Sequence, residues 1–191
     1  MKIYINDEVE SLEMDVALAE VSEQRRERVL RYHFKRDQKL SLAAYLLLKE
    51  GLRQTYGITG CPEFAFLEGG KPYLPEHPDV YFSLSHSKSV ALCALHHHPV
   101  GADVEIIRPV EEKIVAFTMN EEECRQVMAA PEVSKAFLAL WTRKEALLKL
   151  TGEGIRQDIK QVLADADQYH FETVETDSYV YSVATYKDSK L

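Results

Sequence analysis

Residues Phe137–Gly154 read FLALWTRKEALLKLTGEG. Phe137 to Leu150 carries helix formers with no Gly or Pro, and Thr151, Gly152 and Gly154 follow in the way helix C-termini usually end. On a wheel stepping about 100° per residue, Leu138, Trp141, Leu148 and Lys149 all fall within about 60° of Glu145. A carboxylate and an ammonium one turn apart therefore share a face with a Trp and two Leu. The opposite face carries Leu140, Leu147 and Leu150, so the helix is expected to be packed on most sides. Burying charge is costly unless the groups are paired or bind something. One reading of Glu145 and Lys149 is an i,i+4 ion pair, worth only a few tenths of a kcal/mol on a surface. The other is a polar spot on a central helix that holds a ligand.

The chain around this helix has 191 residues, enough for one large domain or two small ones with a real core. Its formal net charge of −8 argues against general nucleic-acid binding. No stretch approaches the ~20 apolar residues of a membrane span, and MKIYINDEVE at the N-terminus has no apolar signal core. Cys61, Cys93 and Cys124 show no metal-type spacing, and their odd number does not suggest a disulfide framework. A cytoplasmic setting is the expectation.

Alternation in Lys2–Asn6 predicts an opening strand. Ser22 is placed to cap a helix over Glu23–Tyr32, and Lys35–Tyr56 reads as a long helix stopped by Gly57. Arg25, Arg26, Arg28, Arg31, Lys35, Arg36 and Lys39 cluster there on an otherwise acidic chain. Such a run is either a solvated helix face or a patch for a small polyanion such as a phosphorylated ligand. Cys61–Pro78 is turn-rich. Val80–Ser85 and Ser89–Leu95 form a hairpin across Ser87-Lys88, with His86 at a strand end. His96-His97-His98 alternate across an extended chain, which disfavours their meeting at one metal.

Gly101–Ile106 reads as a further strand. Residues i and i+2 of a strand face the same way, so Asp103 and Glu105 stand side by side, opposite Val100, Ala102, Val104 and Ile106. Paired carboxylates repel unless a proton or cation lies between them, and hard oxygen ligands favour Mg2+ beside phosphate oxygens. An ordinary wet strand face with two acids is the alternative. Two short helices, broken around Thr118-Met119-Asn120 with Asn120 as a cap, are predicted in Arg108–Val127. Ile155–Leu163 reads as a loop with a strand, and His170–Glu175 with Ser178–Tyr186 as a closing antiparallel pair. The fold class is therefore α+β, in two similar halves, residues 1–100 and 101–191, each a long helix on a small, mostly antiparallel sheet. Active sites often lie at such a seam.

Four motifs now stand in order: GKPYLP at Gly70–Pro75, FSLSHS at Phe82–Ser87, GADVE at Gly101–Glu105 and WTRKEALLKLTGEG at Trp141–Gly154. With the basic N-terminal helix, the set resembles the 4′-phosphopantetheinyl transferases of the monomeric, surfactin-synthetase-activating type. The resemblance covers roughly Met1–Gly154, and the closing strands more loosely. It implies halves related by a pseudo-twofold, with coenzyme A in the cleft between them. It also implies Mg2+-dependent transfer of phosphopantetheine from coenzyme A to a serine of an apo acyl or peptidyl carrier protein, releasing adenosine 3′,5′-bisphosphate.

Residue by residue, the resemblance makes Asp103, Glu105 and Glu145 the Mg2+ ligands, and makes Glu145 also the general base for the carrier serine, directly or through water. Lys149 matches the lysine at the diphosphate, and Ser85 and His86 match residues of the nucleotide-phosphate pocket. Lys71 matches another coenzyme A contact. Arg25 and Arg28 match basic residues near the 3′-phosphate. Ser41 matches a contact from the second helix, although Leu40 stands before it where family members often carry Arg. A further acid matches Glu121 by counting from Phe117, with Glu122 as the alternative. Arg31, Lys35 and Arg36 are candidates for carrier contact. The competing readings are a non-catalytic coenzyme A or carrier-protein binding module and, against the net charge, a nucleic-acid binder.

Overall fold

The chain runs through β1 (Lys2–Asn6), the short helices α1 (Met14–Ala19) and α2 (Glu23–Leu30), and the long helix α3 (Lys35–Tyr56). It continues through the paired β2 (Ala65–Phe66) and β3 (Pro72–Tyr73) to the hairpin β4 (Tyr81–Ser87) and β5 (Val90–His96). A second series follows: β6 (Val100–Ile106), α4 (Glu112–Thr118), α5 (Glu121–Ala129), α6 (Val133–Thr151), and the hairpin β7 (Tyr169–Glu175) and β8 (Tyr179–Tyr186). This computed structural model describes residues 1–152, 154 and 158–187.

Both series build the same topology. A leading strand, helices and then a hairpin give the antiparallel sheets β1-β5-β4 and β6-β8-β7, and in each the last strand made is the central one. The fold is α+β with two like halves, as expected. One face of each sheet meets the other half: Val90, Leu92 and Ala94 of β5 pack with Val100, Ala102 and Val104 of β6 and Val183 of β8. The other face carries the long helix. Cys93 and Leu95 lie against Leu48 and Leu52 of α3, and Ala184 lies against Ala146, Leu147 and Leu150 of α6.

Helix ends follow local chemistry. Ser22 Oγ accepts from the Arg25 N–H at 3.2 Å, and Asn120 and Glu123 form a reciprocal capping box. α3 and α6 end on the left-handed glycines Gly57 and Gly152. The predicted Ile155–Leu163 segment differs: no strand occurs among its described residues, where Ile159–Gln161 is a 3-10 turn. Residues 155–157 of it lie outside the described residues. α6 also begins earlier than Phe137, because packing of Val133 into the core overrides the poor helix propensity of Val133 and Ser134.

The feature that positions the site is Gly101. A Cβ there would lie 2.0 Å from the Ala146 carbonyl oxygen and 2.3 Å from the Leu150 nitrogen. Only a residue without one lets β6 come this close to α6. Asp103 and Glu105 share Gly101's face of the strand, so the same approach brings both carboxylates beneath the helix. Gly69 does likewise for the turn before β3, where a Cβ would lie 2.0 Å from the Gly152 carbonyl oxygen.

Candidate active site

Asp103 is buried, and its Oδ1 accepts from Lys149 Nζ at 2.7 Å and from Ser85 Oγ at 2.7 Å. Its Oδ2 is buried with no partner among the described residues. Glu105, half-buried one step along β6, accepts from Ser87 Oγ at 2.6 Å. Glu145 is half-buried on α6, one turn before Lys149. Burial, then the charge of Asp103, push the Glu145 carboxyl above its ordinary range, with Lys149 pulling down and Glu105 adding to the rise. Burial also raises Glu105, opposed by the Ser87 hydrogen bond and reinforced by Asp103. The three acids thus lie within electrostatic reach of one another.

Glu145 and Lys149 do not form the simple i,i+4 ion pair. Lys149 reaches across to β6 instead, and among the described residues its ion pair is with Asp103. Nor do three acids or imidazoles converge closely enough to hold a metal ion, among the described residues. The donor set still suits a hard divalent cation. It offers three carboxylates, two with raised proton affinity, and one desolvated oxygen whose burial no hydrogen bond offsets. On the Oδ1 side of Asp103 the neighbouring positive charge is the Lys149 ammonium.

The basic side of the site comes from the first half. Arg25 donates through Nη2 to the Ser41 carbonyl at 2.6 Å and to Ser41 Oγ at 3.0 Å, while its guanidinium lies 4.7 Å from the centre of the Tyr45 ring. Burial, then Arg28, lower its pKa. Arg28 is more exposed and stacks over Phe66 at 4.8 Å. His86 touches solvent at the cleft, yet the surrounding walls desolvate it, and this together with the Lys149 charge lowers its pKa. Lys71 donates to the carbonyls of Leu150 at 2.9 Å and Val100 at 3.3 Å, and burial brings its pKa down to about 8. Its ammonium caps the C-terminal end of α6 while the side chain lines the cleft beside Glu145 and Lys149.

Two adjoining cavities collect these groups. One, of about 350 Å3, is lined by Arg25, Arg28, Ser41, Ser85, His86, Asp103 and Lys149. The other, of about 250 Å3, is lined by Lys71, Glu145 and Lys149 with Phe82, Leu84 and Leu148. Lys149 is common to both. Glu105 lines neither and sits just beyond Asp103.

Other expectations fare differently. Glu121 and Glu122 are both exposed in the first turn of α5, where Glu122 pairs with Arg125. The neighbour that turns inward is Glu123, and it is held by Lys144. Lys144 is fully buried, with Nζ donating to Glu123 Oε2 at 2.7 Å, Thr118 O at 2.9 Å and Ile159 O at 3.0 Å. Sequence patterning does not single this lysine out. The available clue was its place about 100° round the helix from Glu145, away from the site. The serines of FSLSHS were likewise not read as donors to the acids. Among the described residues no helix is long and apolar enough to cross a membrane.

Comparison with known proteins bears on both halves. Residues 9–98 match the family described as 4′-phosphopantetheinyl transferase, N-terminal, and residues 99–189 match the 4′-phosphopantetheinyl transferase superfamily. A 4′-phosphopantetheinyl transferase of Bacillus subtilis is 30% identical over 156 residues, covering 80% of this chain and 70% of the relative. The gsp transferase of Aneurinibacillus migulanus is 29% identical over 172 residues, 87% of this chain and 70% of that protein. The HetI transferase of a Nostoc species is 32% identical over 158 residues, 78% and 66% respectively.

Proposed function

This chain belongs to the 4′-phosphopantetheinyl transferase superfamily, and from that premise we propose that it moves the 4′-phosphopantetheine of coenzyme A onto a serine of an apo acyl or peptidyl carrier protein. The observation that carries the reading at residue level is Lys149. It stands in both cavities at once, bonded to a buried carboxylate on one side and one turn from Glu145 on the other.

In this reading the nucleotide phosphates lie toward Arg25, Arg28 and His86, and the diphosphate lies at Lys149. Glu145, whose proton affinity is raised by burial and by Asp103, takes the proton of the carrier serine hydroxyl. The serine oxygen then bonds to the phosphorus that bears the pantetheine arm. The bond from that phosphorus to the bridging oxygen breaks, and adenosine 3′,5′-bisphosphate leaves. Lys149 holds the charge that grows on the departing phosphate. Asp103, Glu105 and Glu145 are the residues that would hold Mg2+, which when bound neutralises diphosphate charge during the displacement. Lys71 supports the cleft by fixing the end of α6.

Incubation of the full chain with coenzyme A, Mg2+ and an apo carrier protein, followed by mass spectrometry of the carrier, tests the proposal. A phosphopantetheine adduct on the carrier serine is the expected result. Binding of coenzyme A or carrier without any adduct, across acyl and peptidyl carriers, would instead identify a non-catalytic binding module.

A further inference from the structure

The strand β4 places Phe82, Leu84 and His86 on one face and Ser83, Ser85 and Ser87 on the other. The serine face meets β6, which belongs to the other sheet. Side-chain hydroxyls bridge the two strands. Ser83 Oγ accepts from the Ala102 N–H at 2.9 Å, and Ser85 Oγ accepts from the Val104 N–H at 3.3 Å while donating to Asp103. Ser87 is the third in the row, and its hydroxyl donates to Glu105 Oε2 at 2.6 Å. Two residues along one strand correspond to about two along the other, so the row keeps its register from end to end.

The structure assigns Ser87 as a positioning residue for Glu105, an inference that rests on the proposed transferase reading. Glu105 lines neither cavity, and among the described residues Ser87 is its hydrogen-bond donor. A glutamate has two more rotatable bonds beyond Cβ, and without an anchor its carboxylate can swing toward the Arg108 charge that also acts on it. The short Ser87 bond fixes Oε2 and with it the plane of the carboxylate. Oε1 would then be the oxygen that Glu105 offers, with the carboxylates of Asp103 and Glu145, to a bound cation. The first half of the chain thereby orients an acid of the second, so the two halves form one site through this row as well as through Lys149.

Direct Mn2+ binding to the full chain, followed by electron paramagnetic resonance without coenzyme A or carrier, is the primary test. Removing an outer partner of a metal ligand typically weakens metal binding by about 10- to 100-fold. Ser87→Ala is expected to weaken Mn2+ by about tenfold or more and to raise the half-saturating Mg2+ for transfer in parallel. Ser87→Thr, which keeps the hydroxyl, is expected to restore both, whereas a purely structural role would follow thermal stability and not the hydroxyl. Unchanged Mn2+ affinity in Ser87→Ala, beside a weakened Glu105→Gln, would overturn the assignment while leaving the transferase intact. Absence of Mn2+ binding and of transfer in the unaltered chain would instead remove the parent reading.

Discussion

The Lys149 ammonium donates to Asp103 Oδ1 at 2.7 Å, joining α6 to β6 where the two cavities meet. The Asp103 side chain is 7% exposed and that of Lys149 31%, so the carboxylate is the partner that depends on the contact. In Lys149→Met, Ser85 still donates to Asp103, but the compensating charge is gone. Loss of about 1–3 kcal/mol of stability is expected, as for a buried acceptor deprived of its partner. Transfer should fall by about 100- to 1,000-fold, as when a donor to developing charge is removed. Adding Asp103→Asn should recover stability in urea unfolding and leave turnover low. Recovery of turnover in the double variant would deny Lys149 a role in the reaction.

Glu145→Gln separates stability from activity. Burial and Asp103 raise the folded-state pKa of Glu145 above its ordinary 4.5. A carboxyl with a raised folded pKa binds its proton more tightly in the fold. Its stabilising contribution is therefore full below the unfolded pKa and is lost as pH rises through the folded pKa. At neutral pH without metal, the ionised group weakens the fold, so the Gln variant should melt higher than the parent. That gap should close as pH falls below 4.5, the ordinary value. Transfer should drop by about 100- to 10,000-fold if Glu145 is the base. Thermal melts with a chelator across pH, beside carrier loading, check both halves of the expectation.

The sequence carried the elements because period-2 and period-3.6 patterns are local, as are the caps at Ser22, Asn120, Gly57 and Gly152. The shared face of Asp103 and Glu105 was legible for the same reason. The partners of those acids were not. Lys149 lies far along the chain from Asp103, and Ser85 and Ser87 reach β6 only through the register between two sheets. Tertiary packing sets that register, and no local period encodes it. Lys144 and Glu145 are neighbours in sequence with opposite fates, one sealed in the protein and one facing a cavity. The start of α6 at Val133 was hidden by weak propensities that core packing outweighs.

Lys144 adds a polar tie to parts of the second half that the core around Val115, Val127 and Phe137 already joins. Its three acceptors lie on α4, α5 and the turn at Ile159, and its side chain is 0% exposed against 9% for Glu123. Lys144→Met fits the volume but strands the Glu123 carboxylate, and breaking a buried pair in this way costs about 3–5 kcal/mol. Lys144→Met with Glu123→Gln removes the stranded charge and should regain much of the loss. Urea midpoints measure both. A Lys144→Met midpoint near that of the parent would mean that the ammonium does not support the fold.

Gly101→Ala tests the approach on which the site depends. The added methyl would meet the Ala146 oxygen at 2.0 Å and the Leu150 nitrogen at 2.3 Å, and both are backbone atoms that no rotamer change can move. β6 or α6 must then shift, and Asp103 on the strand moves relative to Lys149 on the helix. Overpacking of this kind costs about 1–3 kcal/mol, and a displacement of about 1 Å in a positioned group can cost about 100-fold in rate. Gly57→Ala serves as the control. At φ 67° it is strained, but nothing lies within 4 Å of its Cβ and it stands far from the cleft residues at the end of α3. It should lose up to about 1 kcal/mol and no transfer activity. If both alanine variants lose stability alike and both keep full transfer, the close contact of β6 with α6 does not set the geometry of the acids.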